Sequence, residues 1–233
     1  MEPIKRQIGC YSGQEKGPLV VVLAGVHGNE PAGVKAMERL FGMLEREPHI
    51  NPDFKFSGRL VGLRGNLRAL KRGIRFIDKD LNRIWTDDTI DHMQHTPAHE
   101  WCSEEWEINE ILRTVNHHIE AYSPDEFIMM DLHTTTAFGG IFSLATEKNQ
   151  SMRIARELIA PVVLGLVEGV EGTTLHYFND DHFDIPTTPI VFESGQHEEP
   201  LSVTRAISAV INCLRTVGCL REARHVVTAS YLL

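Results

Sequence analysis

The chain has 233 residues, 42% hydrophobic and 24% charged, with a formal net charge of −9 when histidine is neutral. That length supports one or at most two domains with a substantial core, and the acidic balance argues against nucleic acids and anionic membranes as partners. No apolar run approaches the roughly 20 residues needed to span a bilayer, and the opening MEPIKRQIGCYSGQEKGPLV lacks the apolar centre of a signal peptide. Scattered cysteines without a CxxC pair fit free thiols in a reducing cytoplasm.

Leu19–Gly25 predicts a strand apolar on both faces, as in the middle of a parallel or mixed sheet. Pro31–Glu47 predicts a helix with Val34, Met37, Leu40, Phe41 and Leu44 on one face and Pro31 in its first turn. Arg59–Arg64 predicts a second strand between Gly58 and Gly65. Residues 66–100 carry little periodicity and read as a long loop. His92, His95 and His99 fall there at a spacing that a helix could turn toward a metal, but Pro97 interrupts any helix, so a solvated loop is expected.

Ser103 reads as the N-cap of a helix to about Tyr122, with Ile108, Ile111, Leu112, Val115 and Ile119 inward. DEFIMMDLHTTT, GGIFSLAT and TPIVFESG read as strands, and Ser151–Leu166 and Leu201–Val217 as helices. Strands alternating with helices imply an α/β fold: a mixed, mostly parallel central sheet flanked by helices.

In such a sheet, ligands bind beyond the carboxyl ends of the strands. His27 and Glu30 follow the first strand in GVHGNE, Asp131 and His133 end IMMDLHTTT, and Glu193 ends IVFESG. Gly25 and Gly28 let the chain turn sharply and a ligand approach the backbone, so His27 and Glu30 can face one ion. The competing reading is a loop histidine and a glutamate at a helix start, where the dipole favours it. With His133 the set becomes two imidazoles and a carboxylate, which leaves zinc an open fourth position; Mn, Co or Ni fit the same donors. Asp131 shares a strand face with His133 and reads either as a carboxylate that orients a ligand imidazole or as a cap. GVHGNE lacks the Gly-Lys-Ser/Thr ending of a phosphate-binding loop.

The stretch RGNLRALKRGIRFIDKDLNRIW, with GVHGNE, DLHTTT and FESG in order around it, resembles the aspartoacylase/succinylglutamate desuccinylase family of zinc carboxypeptidase-like hydrolases. The resemblance covers residues 19 to about 197. It implies one Zn2+ per chain on His27, Glu30 and His133, and Glu193 as general base. It also implies Arg75 on the scissile carbonyl, with Asn82 and Arg83 gripping a substrate carboxylate. Internal pairing of Arg75 and Arg83 with Asp78 and Asp80 is the alternative use of those arginines. The implied substrate is a small anionic N-acyl amino acid, N-acetylaspartate-like or N-succinylglutamate-like. A peptide carboxypeptidase, or a metal-binding member without catalysis, are the rivals.

Full-length family members carry a further β-rich carboxy-terminal domain. The chain ends at Leu233 after VVTASYLL, so the expectation is one catalytic domain, 1–233, with that second domain absent or truncated. The apolar tail offers a surface for a partner or for a homo-oligomer. His176, Tyr177 and His182 read chiefly as surface-loop residues, with substrate contact as the alternative, and His197 stays open between the two.

Overall fold

The structure is a computed structural model that describes residues 4–136, 139–166 and 169–221; the apolar tail lies outside the described residues. In chain order it runs β1 (Gln7–Ser12), β2 (Glu15–Ala24), α1 (Ala32–Ile50), β3 (Ser57–Arg64), α2 (Leu67–Arg72), α3 (Asp87–His95) and α4 (Ser103–Tyr122). There follow β4 (Phe127–Thr135), β5 (Ile141–Ala145), α5 (Asn149–Glu157), β6 (Val162–Val163), α6 (Thr174–Tyr177), β7 (Thr187–Gln196) and α7 (Pro200–Thr216).

The strands form one sheet in the order β1-β3-β2-β4-β7-β5-β6. The pairs β2–β3, β2–β4, β4–β7 and β5–β6 are parallel, and β1–β3 and β5–β7 antiparallel, so the sheet is mixed and mostly parallel as expected. The continuous apolar run of β2 serves two cores. Val20, Val22 and Ala24 pack with α1, α5 and α7; Leu19, Val21 and Leu23 pack with α4, Trp85 and Phe178 on the opposite face. Strands buried on both faces need apolar residues at every position, which is why β2 and β4 show no alternation.

Two expectations are corrected. Residues 66–100 are not a structureless loop: they hold α2, α3 and short 3-10 turns at Leu81–Arg83 and Ala98–Glu100. Periodicity missed these helices because each buries one residue, Ala69 in α2 and Met93 in α3. Their ends are set by polar caps instead: Asn66 and Thr86 accept backbone N–H groups, and Gly73 ends α2 at φ +64°. His92, His95 and His99 are exposed, as the solvated reading requires. The helix expected over Ser151–Leu166 stops at Glu157. Pro161 has no N–H and its ring would clash with the Glu157 carbonyl, and Val162–Val163 become an edge strand. A smaller shift falls at α4, where Cys102 is the N-cap and Ser103 the first helical residue.

Candidate active site

The chain leaves β2 through Gly25, which turns it at a φ of +71° and accepts the Asn66 N–H at 2.9 Å. Gly28 has a different reason from the one expected. A Cβ there would lie 2.1 Å from the Ala69 carbonyl carbon, so this glycine admits the backbone of α2 rather than a ligand. The bend leaves His27 and Glu30 buried at the mouth of the sheet, next to the end of β4. His133 on β4 is in register with Glu193 on β7, so parallel pairing brings both to the same level.

The side chains interlock. His27 Nδ1 lies 2.8 Å from Glu30 Oε1, and His133 Nδ1 lies 3.2 Å from Glu30 Oε2. The opposite ring nitrogens also meet carboxylates: His27 Nε2 is 3.0 Å from Asp80 Oδ1, and His133 Nε2 is 2.9 Å from Asp131 Oδ2. Thr174 Oγ1 donates to Asp131 Oδ2 at 2.6 Å, and the Thr134 N–H donates to Glu30 Oε2 at 2.8 Å. One ligand atom from each of His27, Glu30 and His133 lies within 4.8 Å of the others. This donor set fits a divalent cation: each imidazole is anchored through Nε2 by a carboxylate, and both Nδ1 atoms turn toward the same glutamate.

Electrostatics agree with that fit. Burial works to raise the Glu30 carboxyl, but hydrogen bonds and charge from His133 and His27 outweigh it and hold Glu30 well below the usual range. Burial works to lower His133, yet Asp131 and Glu30 raise it well above 6.5. A field that favours a proton on His133 also favours a cation. Glu193 is pushed up by burial, with His133 acting against that and Glu30 and Asp131 adding to it. Its Oε2 is buried without a hydrogen-bond partner among the described residues.

His27, Glu30, His133 and Glu193 line a cleft of about 270 Å³ together with Arg75, Asn82, Arg83, Thr134 and His197. Arg75 takes up the internal pairing that was its alternative: Nε and Nη2 donate to Asp80 Oδ2 at 3.0 and 2.9 Å. Its Nη1 stays on the cleft side, 4.0 Å from Glu30 Oε1. Arg83 forms no ion pair among the described residues and donates to the Asn82 carbonyl at 2.7 Å. Asn82 Oδ1 accepts from the Thr174 N–H at 3.0 Å, which leaves its amide NH2 as a donor. Asp78 caps the start of α4 through the Ser103 N–H at 2.8 Å.

Sequence reasoning missed Asp80 as the partner of His27, and Thr134 and Thr174 as supports; no local pattern distinguishes them. It also missed Glu104, which reads as an ordinary first-turn acid but is fully buried. Tyr177 is not a surface residue: it packs against Trp85 in the second core, and His182 stacks on it at 4.2 Å.

The strand ends of this mixed α/β protein gather two histidines and a glutamate that could share one metal ion, with a further, half-buried glutamate beside them. The chain belongs to the Succinylglutamate desuccinylase/Aspartoacylase catalytic domain family, whose model matches residues 16–206. It is 35% identical over 72 residues to a succinylglutamate desuccinylase of Pseudomonas paraeruginosa, a stretch covering 31% of this chain and 20% of that relative. The chain therefore matches about a fifth of the length of that curated relative. Among solved structures, the succinylglutamate desuccinylase from Chromobacterium violaceum aligns with a TM-score of 0.64 at 18% identity, covering 90% of this chain and 70% of that one. An aspartoacylase family protein from Mesorhizobium loti aligns with a TM-score of 0.61 at 16% identity, covering 92% and 62%. At these identities the structural likeness is one of fold.

Proposed function

We propose that this chain is a zinc-dependent hydrolase, cleaving the amide bond of an N-acyl amino acid to a carboxylate and a free amino acid. The observation that carries the reading is Glu193, half-buried beside the His27–Glu30–His133 cluster with its Oε2 buried and unpartnered among the described residues, since metal binding alone has no use for it. His27, Glu30 and His133 would hold one zinc ion per chain, and Asp131 and Asp80 keep the two imidazoles aimed. Bound zinc lowers the pKa of water from about 15.7 to about 7 and polarises a carbonyl.

Glu193 accepts the proton of the attacking water as the water oxygen bonds to the acyl carbon. It returns that proton to the amide nitrogen as the carbon–nitrogen bond breaks. Burial, by keeping its pKa above the ordinary carboxylate value, makes Glu193 a better base. Arg75, held at the cleft edge by Asp80, stabilises the oxyanion with Nη1. Arg83 and the Asn82 amide hold the substrate carboxylate.

N-acetylaspartate-like and N-succinylglutamate-like compounds are the substrates suggested by the family name. We place the protein in the cytoplasm on its free thiols; no helix of the described residues is long and apolar enough to cross a membrane. Metal analysis with a screen of N-acyl amino acids tests the reading. Glu193→Gln is expected to keep its metal and lose about 10²–10⁴ in turnover, and His27→Ala to lose the metal. Full turnover by Glu193→Gln, or cleavage of short peptides alone, would overturn it.

A further inference from the structure

Among the described residues, the wall beside the Asn82–Arg83 clamp carries no charge. The Thr174 N–H bonds Asn82 Oδ1, and a Cβ at Gly172 would lie 2.2 Å from the Arg83 carbonyl oxygen, so residues 172–174 are pressed onto the clamp. The next side chain, Leu175, lines the cleft with Leu144 of β5 and Val191 of β7. Leu144 and Val191 are register partners, one alternation below the Phe142–Glu193 pair. Leu144, Leu175 and Val191 form an apolar cluster of their own, apart from both main cores, backed by Phe142 and Val163.

Most cations of the cleft are already committed. Arg75 pairs with Asp80, and His27 and His133 meet carboxylates on both ring nitrogens; His197 meets only the Thr134 hydroxyl, through Nδ1 at 2.7 Å, with its Nε2 unpartnered among the described residues. Arg83 is the remaining guanidinium, and the clamp uses it. Among the described residues, none on this wall can neutralise a second carboxylate.

Covalent geometry identifies what occupies the wall. In an amino acid, the carbon bonded to the α-carboxylate also bears the side chain. A carboxylate held by Asn82 and Arg83 therefore sets that side chain against the neighbouring surface, Leu175 first. We infer that the amino acid this enzyme releases has an uncharged aliphatic side chain, seated on Leu144, Leu175 and Val191, in place of the acidic one of succinylglutamate. The inference rests on the N-acyl amino acid reading above and specifies its substrate. Each matched methylene in such a pocket changes kcat/KM by roughly 10-fold or more, whereas an acidic group there would be buried unpaired.

The test is steady-state kinetics of the metal-loaded protein on N-acetyl-leucine, N-acetyl-valine, N-acetylaspartate and N-acetylglutamate. The leucine compound is expected to exceed the acidic pair by about 100-fold in kcat/KM. Val191→Arg, which supplies the missing cation, is expected to narrow or reverse that ratio. Calorimetric titration of Glu193→Gln with the same compounds reads binding without turnover and should follow the same order. Preference of the unaltered chain for the acidic compounds overturns this inference and leaves the deacylase reading standing. Tighter binding of N-acetyl-leucine without any turnover supports the subsite and refutes hydrolysis. Neither binding nor turnover of any of the four refutes both.

Discussion

Glu104 is the residue whose removal should reveal most about how the site is held. It is fully buried at the start of α4. Its Oε1 accepts from Asn66 Nδ2 and the Ile77 N–H at 2.8 Å each, and its Oε2 from the Asp78 and Lys79 N–H groups at 3.0 Å each. Those donors lie along the connection that carries Arg75, Asp80, Asn82 and Arg83. Glu104→Gln preserves one acceptor and turns an NH2 group toward the other pair of donors. Hydrogen bonds to a charged acceptor contribute about 1.5–3 kcal/mol each, so two lost bonds amount to about 3–6 kcal/mol. Glu104→Ala strands all the donors and should cost more. Against a total stability of about 5–15 kcal/mol, either is a large fraction. Urea denaturation at fixed metal content measures it: the midpoint should fall with the slope unchanged, and Tm should drop by about 10 °C. A Glu104→Gln protein within about 0.5 kcal/mol of the parent would show that this carboxylate does not hold the loop.

Three further outcomes are expected. Gly28→Ala should destabilise the protein by about 1–3 kcal/mol or more, because its Cβ would meet the α2 backbone; Gly73→Ala, at φ +64° in open space, should cost only about 1–2 kcal/mol of backbone strain. Asp131→Asn removes the carboxylate behind His133 and should weaken metal affinity by about 10–100-fold, read by competition with a chelator. The metal-free protein should be most stable at mildly acidic pH. Glu30 and Asp80 are held below their ordinary 4.5 and 3.8, Asp80 because hydrogen bonds and charge from His27 and Arg75 outweigh burial, so their contribution is present above those values and lost as pH falls through the lowered ones. His133 is raised above 6.5, so its contribution is complete below that value and lost as pH rises through the raised one. Thermal melts across pH should therefore fall on both sides, and His133→Asn should remove the alkaline fall.

Much of this protein is legible in its sequence. Long strands and helices carry many buried positions each, so β2, β4, β7, α1, α4 and α7 announced themselves by apolar runs or stripes, and their order implied the mixed, mostly parallel sheet. His27, Glu30, His133 and Glu193 were legible for a related reason. They stand where apolar strands end, and such a sheet places those ends side by side. What only the tertiary structure decided is everything that depends on distance in space rather than along the chain. The short helices α2 and α3 survive on caps, not on a stripe. Gly28 exists for a backbone far along the sequence. Glu104 became a buried anchor, Asp80 the partner of both His27 and Arg75, and Leu144, Leu175 and Val191 one wall. A local pattern reports what a residue does to its own helix or strand. A buried carboxylate or an apolar wall is defined by neighbours that the pattern does not contain.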